Sequence, residues 1–188
     1  ISKELTFEKK SSDNALMIAN MFGNVKVEAY TGSHIVIEVT KTINAKTPDR
    51  LETGKNEVHL GIIDRADTII LYVTDGCHEF GQDKPDRRRS NWPQAGWSYR
   101  SLDNRGCHLI YDYKMDFTVK VPSSLNLLLS TINEGSVVVE NVSGVVKARN
   151  INGGIRLTKL QSEAEANTIN GDVDIQYARN PAKGCRFY

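Results

Sequence analysis

The sequence lacks both an excess of charge of one sign and a long apolar run. Its 188 residues carry 24 Lys+Arg against 23 Asp+Glu, a formal net charge of +1. Because a protein that neutralises many phosphates usually carries a clear basic excess, this balance argues against a nucleic-acid partner. The longest apolar runs, near residues 69–73, are far shorter than the roughly 20 residues that a membrane-spanning helix needs. We therefore expect neither nucleic-acid binding nor a transmembrane segment in this chain.

Recognisable catalytic motifs are missing as well. The chain has no nucleophile elbow, no HExxH pair and no phosphate-binding loop. The pair Gly153-Gly154 does not supply such a loop, because residues 155–157 have the pattern of a strand, whereas a phosphate loop needs the N-terminus of a helix. Only the last complete unit carries Asp172 and Asp174 after its Asn-Gly corner, where the earlier units have Ser136 and Val138 or Gly154 and Arg156. One acidic unit is too few for a ladder of calcium sites. We expect no enzyme, no catalytic residues, no metal and no cofactor.

Cysteine is scarce, and three residues of this type exclude a disulfide-rich scaffold. Cys77 and Cys107 are each followed by a histidine, at the two ends of a segment without periodicity. Cysteine and histidine are zinc ligands, but adjacent residues of a strand point to opposite faces and do not easily converge on one ion. An antiparallel pairing with Cys77 opposite Cys107 suits a disulfide. We favour the disulfide, which requires an oxidising compartment, over free thiols and over a metal site.

What the sequence does contain is a regular step of nine residues in its C-terminal third. Apolar or small residues recur at this step in three columns: Val137, Val146, Ile155, Ala164 and Val173; Val139, Ala148, Leu157, Ala166 and Ile175; and Val142, Ile151, Leu160 and Ile169. Asn-Gly corners, at Asn152 and Asn170, recur after 18 residues. Alternation with a period of two predicts short strands with one buried face. Stacked units bury a continuous core that one unit alone cannot form.

This pattern predicts an all-β fold, a single-stranded β-helix or β-solenoid with about 18 residues and two short strands in each coil. If strands 18 residues apart are neighbours, Arg156 lies beside Asp174 on one face and Lys147 lies beside Glu165 on the other. Both arrangements place opposite charges side by side, which stabilises an exposed sheet by about a few tenths of a kcal/mol for each pair.

The whole chain, residues 1–188, is expected to form one elongated solenoid domain. Its segments follow in chain order: early coils at about 15–74, an irregular insertion at about 75–107, a long strand at 108–122 and regular repeats at 125–188. Residues 47–54 within the early coils predict a single helical turn, capped by Thr47 and stopped by Gly54. The repeats break off where another corner would follow, so we expect either a chain shortened by truncation or cleavage, or further residues beyond the last one.

The insertion is the part of the chain that the repeat pattern does not explain. A long insertion of this kind is usually either functional or disordered. Its basic and aromatic residues are the candidate ligand-binding residues: Arg87, Arg88, Arg89, Trp92, Trp97 and Tyr99. Aromatic rings beside arginines stack on sugars or bases. The alternatives are a mobile or self-packed loop, and a loop buried against the rest of the chain.

Four stretches of the sequence resemble the "putative adhesin" family of exported bacterial proteins. They are FGNVKVEAY, TVKVPSSLNLLLST, INEGSVVVENVSGVVKARNINGGIRL and NTINGDVDIQYA. The similarity covers most of residues 15–43 and 115–180, and the insertion departs from it. The resemblance implies a β-helix-like fold in an exported protein that is periplasmic, associated with the outer membrane or displayed at the cell surface.

We therefore expect a non-enzymatic exported or cell-envelope protein that acts as an adhesin or binding surface, with the insertion as its contact region. A surface glycan or another envelope protein is the expected partner. Two alternatives remain: a carbohydrate-active enzyme built on a β-helix, and a purely structural spacer.

Overall fold

The computed structural model describes residues 1–82, 97–102, 107–179, 181 and 185–187. Within these residues the chain forms sixteen β-strands and one α-helix, α1 (Pro48–Glu57). The strands in chain order are β1 (Ser2–Leu5), β2 (Ala15–Ala19), β3 (Val25–Tyr30), β4 (Ile35–Asn44), β5 (His59–Asp64), β6 (Thr68–Thr74), β7 (His78–Gln82), β8 (Trp97–Ser101), β9 (Asp112–Pro122), β10 (Asn126–Thr131), β11 (Val137–Glu140), β12 (Val146–Asn152), β13 (Ile155–Leu160), β14 (Ala164–Asn170), β15 (Val173–Tyr177) and β16 (Arg186–Phe187).

The strands assemble into two seven-stranded sheets and one two-stranded sheet. The first sheet has the order β1-β4-β9-β3-β11-β13-β15, and the second has the order β16-β14-β12-β10-β2-β6-β5. Neighbours such as β11 with β13 and β12 with β14 run parallel. The edge strand β1 is antiparallel to β4, and β7 is antiparallel to β8. The protein is therefore all-β, with parallel and antiparallel pairs in its sheets.

The predicted single-stranded β-solenoid with two strands per coil is wrong. Repeats of a solenoid contact only their neighbours in the chain, whereas β3 lies between β9 and β11, and β2 lies between β6 and β10. Val25 of β3 pairs with Phe117 on one side and with Val137 on the other, both far later in the sequence. The spacing of apolar residues determines which face of a strand is buried, but it does not choose the neighbouring strand.

The register of the C-terminal strands agrees with the predicted ion pairs. Lys147 pairs with Glu165 between β12 and β14, and Arg156 pairs with Asp174 between β13 and β15. The Lys147 Nζ atom lies 3.7 Å from Glu165 Oε2, and the Arg156 Nε atom lies 3.4 Å from Asp174 Oδ2. Both ion pairs are confirmed.

The third apolar column is only partly buried. Val142 and Leu160 are fully enclosed, but Ile151 is 38% exposed and Ile169 is 69% exposed. Ile151 and Ile169 therefore do not contribute to the core, although they belong to the same column. Strands β12 and β14 continue through them, so alternation along the strand points them to the face opposite the buried residues.

The described residues form two compact units. The first unit comprises Ile1–Thr42, Ile62–Leu71 and Lys114–Tyr188, and the second comprises Ile43–Gly61 and Tyr72–Tyr113. The first unit contains the parallel strands β10 to β15, whose inward side chains form its apolar core. The second unit contains α1 and the hairpin β7–β8.

The helix α1 is longer than the single turn predicted from its cap. Thr47 precedes it as expected, and its Oγ1 atom accepts a hydrogen bond from the Arg50 N–H at 3.4 Å. Gly54 lies inside the helix rather than at its end. A Cβ atom at Gly54 would lie 2.8 Å from side-chain atoms of both Ile43 and Tyr111. This glycine therefore permits close packing on one face of the helix, and it does not stop the helix.

Candidate functional site

The glycine-rich corner at residues 150–157 is a turn between strands. β12 ends at Asn152 and β13 begins at Ile155, so no helix follows the glycines. A Cβ atom at Gly153 would collide with the carbonyl oxygen of Gly135, so the corner requires glycine for the close approach of two backbones. The Asn170 Nδ2–H group donates to the Asn152 Oδ1 atom at 2.8 Å, which links neighbouring corners. These contacts explain the Asn-Gly sequence without a ligand.

The described ends of the insertion form an antiparallel hairpin rather than an irregular loop. Phe80 of β7 pairs with Tyr99 of β8, and Gln82 pairs with Trp97. Two of the predicted ligand-binding residues, Trp97 and Tyr99, therefore lie on one strand and point to the same face. The other four predicted residues, Arg87, Arg88, Arg89 and Trp92, lie outside the described residues.

Four aromatic rings, which we call the aromatic cluster, gather at this hairpin: Tyr72, Phe80, Trp97 and Tyr99. The Phe80 ring is central, with ring centroids 4.8 Å from Tyr72, 5.6 Å from Trp97 and 5.1 Å from Tyr99. Phe80 is buried, whereas Trp97 is half-buried. Offset and tilted ring pairs at these separations stabilise one another beyond the effect of burial alone. The cluster thus fixes Trp97 in place while part of its surface stays accessible.

Tyr99 has a structural bond that distinguishes it from Trp97. Its hydroxyl oxygen accepts a hydrogen bond from the Val73 N–H at 2.9 Å. Burial raises the pKa of Tyr99 well above its usual value, and the hydrogen bond from Val73 only partly opposes this effect. The hydroxyl therefore stays protonated at physiological pH. Its bond to Val73 connects β8 to β6.

A buried carboxylate orders the turn that leads into the hairpin. Asp75 Oδ1 accepts hydrogen bonds from the backbone N–H groups of Cys77 at 2.8 Å and His78 at 2.7 Å. The His78 Nδ1 atom lies 3.0 Å from both carboxylate oxygens. The Tyr113 hydroxyl donates to Asp75 Oδ2 at 2.9 Å. The Asp75 side chain is 0% exposed, so these bonds replace the water that a carboxylate otherwise requires.

The sequence by itself gives no sign of this network. Asp75 precedes Gly76, which signals a turn, but nothing in the local pattern indicates that the carboxylate is buried. Tyr113 is drawn to it from β9, far along the chain. Burial raises the pKa of Tyr113, and the negative charge of Asp75 raises it further. The tyrosine is therefore held in its neutral form, which can donate the hydrogen bond.

The two cysteines at the ends of the insertion form a disulfide, which is the pairing favoured from the sequence. Cys77 and Cys107 are separated by 30 residues, and their Cα atoms lie 5.4 Å apart. The bond occupies both thiols, so neither remains as a zinc ligand. Among the residues that the structure describes, no three His, Cys, Asp or Glu side chains cluster in a way that could hold a metal ion.

A small pocket of about 200 Å³ lies beside the disulfide, and its lining includes Glu57, His108 and Tyr111. The Tyr111 hydroxyl donates to Glu57 Oε2 at 2.7 Å and accepts from the Gly76 N–H at 3.2 Å. Burial and the bond to Glu57 raise the pKa of Tyr111. The pocket is smaller than the roughly 300 Å³ at which small-molecule sites begin. The Tyr111 hydroxyl thus links Glu57 of α1 to the backbone of the turn that precedes β7.

Comparisons with known proteins do not establish the function of this chain. No family model matches the chain, and no curated protein matches it. A solved structure described as a "putative cell adhesion protein" from Clostridium sporogenes is similar over 94% of this chain and 99% of that chain, at 8% sequence identity and a TM-score of 0.40. At this TM-score the likeness carries no argument. No helix among the described residues is both long and apolar enough to cross a membrane.

Proposed function

We propose that the protein is a non-enzymatic binding protein of an exported or cell-envelope compartment, and that the aromatic cluster carries its contact surface. The observation that supports this proposal is the half-buried Trp97, stacked on Phe80 within a hairpin tied at its base by a disulfide. A rigid aromatic side chain supplies contact area at little cost in conformational entropy. A glycan or another envelope protein is the partner that such a surface suits, because the ring stacks on sugars and packs on apolar side chains.

The disulfide supports the exported compartment. Bonds of this kind persist in oxidising surroundings and are rare in the reducing cytosol. Mass spectrometry of non-reduced peptides from natively produced protein tests this point. We expect the peptides of Cys77 and Cys107 to be linked, and free thiols at both positions would argue for a reducing compartment.

The polar groups at the hairpin support a binding role over a catalytic one. The Asp75 carboxylate contacts the His78 ring and accepts hydrogen bonds from the Tyr113 hydroxyl and two backbone N–H groups. A catalytic set instead aims such groups at the position of a reacting atom. Turnover of a polysaccharide by the purified protein, abolished by Asp75→Asn in a folded variant, would overturn the non-enzymatic proposal.

A ligand screen with matched variants tests the contact surface. Glycan arrays and envelope extracts identify a ligand, and isothermal titration calorimetry then compares the unchanged protein with Trp97→Ala. Because truncation of a central aromatic contact typically costs more than about 1–2 kcal/mol, we expect at least about a tenfold loss of affinity. Phe187→Ala, which removes another partly exposed ring outside the hairpin, is the control and should leave the affinity unchanged.

A second variant separates lost contact from a disordered hairpin. Trp97→Phe keeps an aromatic ring against Phe80 while reducing the accessible ring surface. We expect it to retain the hairpin and to bind with intermediate affinity. Unchanged affinity in both Trp97 variants, for every ligand found, would remove the aromatic cluster from the proposal.

A further inference from the structure

A cleft in the first unit is lined by residues other than the candidate ligand-binding residues predicted from the sequence. It has a volume of about 420 Å³ and is lined by three segments: residues 6–14, the turn at 31–34 that follows β3, and residues 122–125 at the end of β9. This volume lies within the range of roughly 300–1,000 Å³ typical of small-molecule sites. The cleft is thus large enough for a ligand the size of a disaccharide.

Hydroxyl groups dominate the polar lining of the cleft. Thr6, Thr31, Ser33 and Ser124 all contribute to it. The structure gives these four side chains no hydrogen-bond partner among the described residues. Four hydroxyls from three separate segments therefore remain available, as donors and as acceptors, to a ligand in one cleft. A ligand with many hydroxyl groups of its own is the natural complement.

The charge in the lining is positive. Lys10 contributes its side chain, and no Asp or Glu is among the lining residues described. The nearby carboxylate of Glu4 is already engaged, because its Oε1 atom contacts the His34 Nδ1 atom. The ammonium group of Lys10 has no ion pair within the described part of the chain. An anionic group on the ligand would satisfy it.

An aromatic ring completes the lining. Phe7 is half-buried and lies in the cleft together with Leu125 and Pro122. An aromatic ring favours the apolar face of a sugar ring, while hydroxyl groups at the edge of the sugar bond to polar neighbours. A cleft that combines an aromatic ring, several hydroxyl groups and one cation is more specific for its ligand than a cleft with only one of these features.

Hydrogen bonds hold the three segments in place without a ligand. The Asn14 Nδ2–H group donates to the Lys9 carbonyl at 2.8 Å, and Asn126 Nδ2–H donates to the Ser12 carbonyl at 2.8 Å. The Tyr30 hydroxyl donates to the His34 carbonyl at 2.9 Å across the turn after β3. Binding sites are usually formed in advance in this way, because ordering a loop on binding lowers affinity.

We propose that this cleft binds a short saccharide that carries a carboxylate, of the uronic acid class. The Lys10 ammonium pairs with the carboxylate, the Phe7 ring packs on the sugar face, and the lining hydroxyls bond to the sugar hydroxyls. This site is separate from the aromatic cluster and does not depend on the function proposed for it.

Calorimetric titration with digalacturonic acid tests the proposal, with lactose as the neutral disaccharide and citrate as an anion that is not a sugar. We expect Lys10→Gln to weaken digalacturonic acid binding at least about tenfold, since a hydrogen bond to a charged group is lost. Lys9→Gln is the matched control, because the neighbouring Lys9 side chain is not part of the lining. Phe7→Leu should also weaken binding, whereas Trp97→Ala should not.

Each alternative result overturns a defined part of the proposal. Equal binding of lactose would refute the requirement for an anion, and equal binding of citrate would refute the sugar. No binding of digalacturonic acid by the folded protein, or equal losses in Lys10→Gln and Lys9→Gln, would refute the site. Both lysine variants replace exposed side chains, so we expect both to fold.

Discussion

The parallel strands of the first unit and the hairpin of the second unit are stabilised by different interactions. In β11, β13 and their neighbours, side chains such as Val137, Ile155 and Leu157 are at most 2% exposed and repeat from strand to strand. In the hairpin region, by contrast, a disulfide, a buried carboxylate and a stack of aromatic rings supply the order. Repeated apolar burial needs no special residue, whereas a region without that pattern depends on a few directional bonds.

This difference bears on function as well as on stability. The repeated strands present similar side chains at each step, and the asparagines at their corners bond to one another, as Asn170 does to Asn152. The hairpin holds one partly accessible tryptophan in a fixed position, and the cleft of the first unit collects side chains from three separate segments. Candidate sites therefore lie where the regular pattern stops.

Removal of the disulfide should give the largest effect and should be confined to the hairpin region. On the chain-entropy model, opening a loop of 30 residues in Cys77→Ser/Cys107→Ser lowers the free energy of unfolding by about 3–4 kcal/mol. Hydrogen exchange of the β7 and β8 amides, together with urea unfolding, measures the change. Amides of β12 and β14 should keep their protection, and Cys185→Ser is the control. Equal loss of amide protection in both regions would contradict the statement that the two regions are stabilised by different interactions.

Ile155→Ala should give the next largest effect, in the first unit. Ile155 is 2% exposed, and truncating a buried isoleucine leaves a cavity that costs about 3 kcal/mol. Ile169→Ala makes the same chemical change at a residue that is 69% exposed, and we expect it to stay within about 0.5 kcal/mol of the unchanged protein. Urea unfolding compares the two variants. Similar losses would show that the assigned faces of these strands are wrong.

Asp75→Asn should destabilise the hairpin region by about 2 kcal/mol. An amide group replaces one carboxylate oxygen with a donor, so one of the bonds from Cys77, His78 or Tyr113 is left without an acceptor. Exchange of the Cys77 and His78 amides measures the local effect. Asp112→Asn, an exposed change in the same unit, is the control. Unchanged protection of these amides in Asp75→Asn would mean that the disulfide and the aromatic rings stabilise the hairpin region without the Asp75 hydrogen bonds.

Loss of an exposed ion pair should give the smallest effect. Arg156 and Asp174 side chains are 66% and 49% exposed, so Arg156→Gln should cost less than about 0.5 kcal/mol. The cost should fall further in 1 M salt, where the screening length is only about 3 Å. Urea unfolding at low and high salt measures both quantities. A loss comparable to that of Ile155→Ala would show that charge, rather than burial, stabilises these strands.

The sequence predicted some elements of this structure well and others poorly, for identifiable reasons. Period-two alternation located the strands after residue 125 and their buried faces, because alternation is a local property. The third column does not predict burial, because Ile151 and Ile169 are exposed where β12 and β14 continue through them. Two matching tripeptides favoured a Cys77–Cys107 disulfide over free thiols and a metal site, and the structure contains this bond. The Asp75 network was invisible, because it joins residues far apart in the chain.

The amino-acid sequence by itself determined the all-β class, the balance of charge, the faces of the C-terminal strands and the ion pairs between them. The first three depend on residue spacing and composition alone, whereas the ion pairs also require that strands 18 residues apart are neighbours. Only the tertiary structure decided that β3 lies beside β9 and β11, that a carboxylate is buried under the hairpin, and that the cleft exists. The physical reason is that each of these arrangements joins segments distant in sequence, and a local pattern does not specify which distant segment the chain brings together.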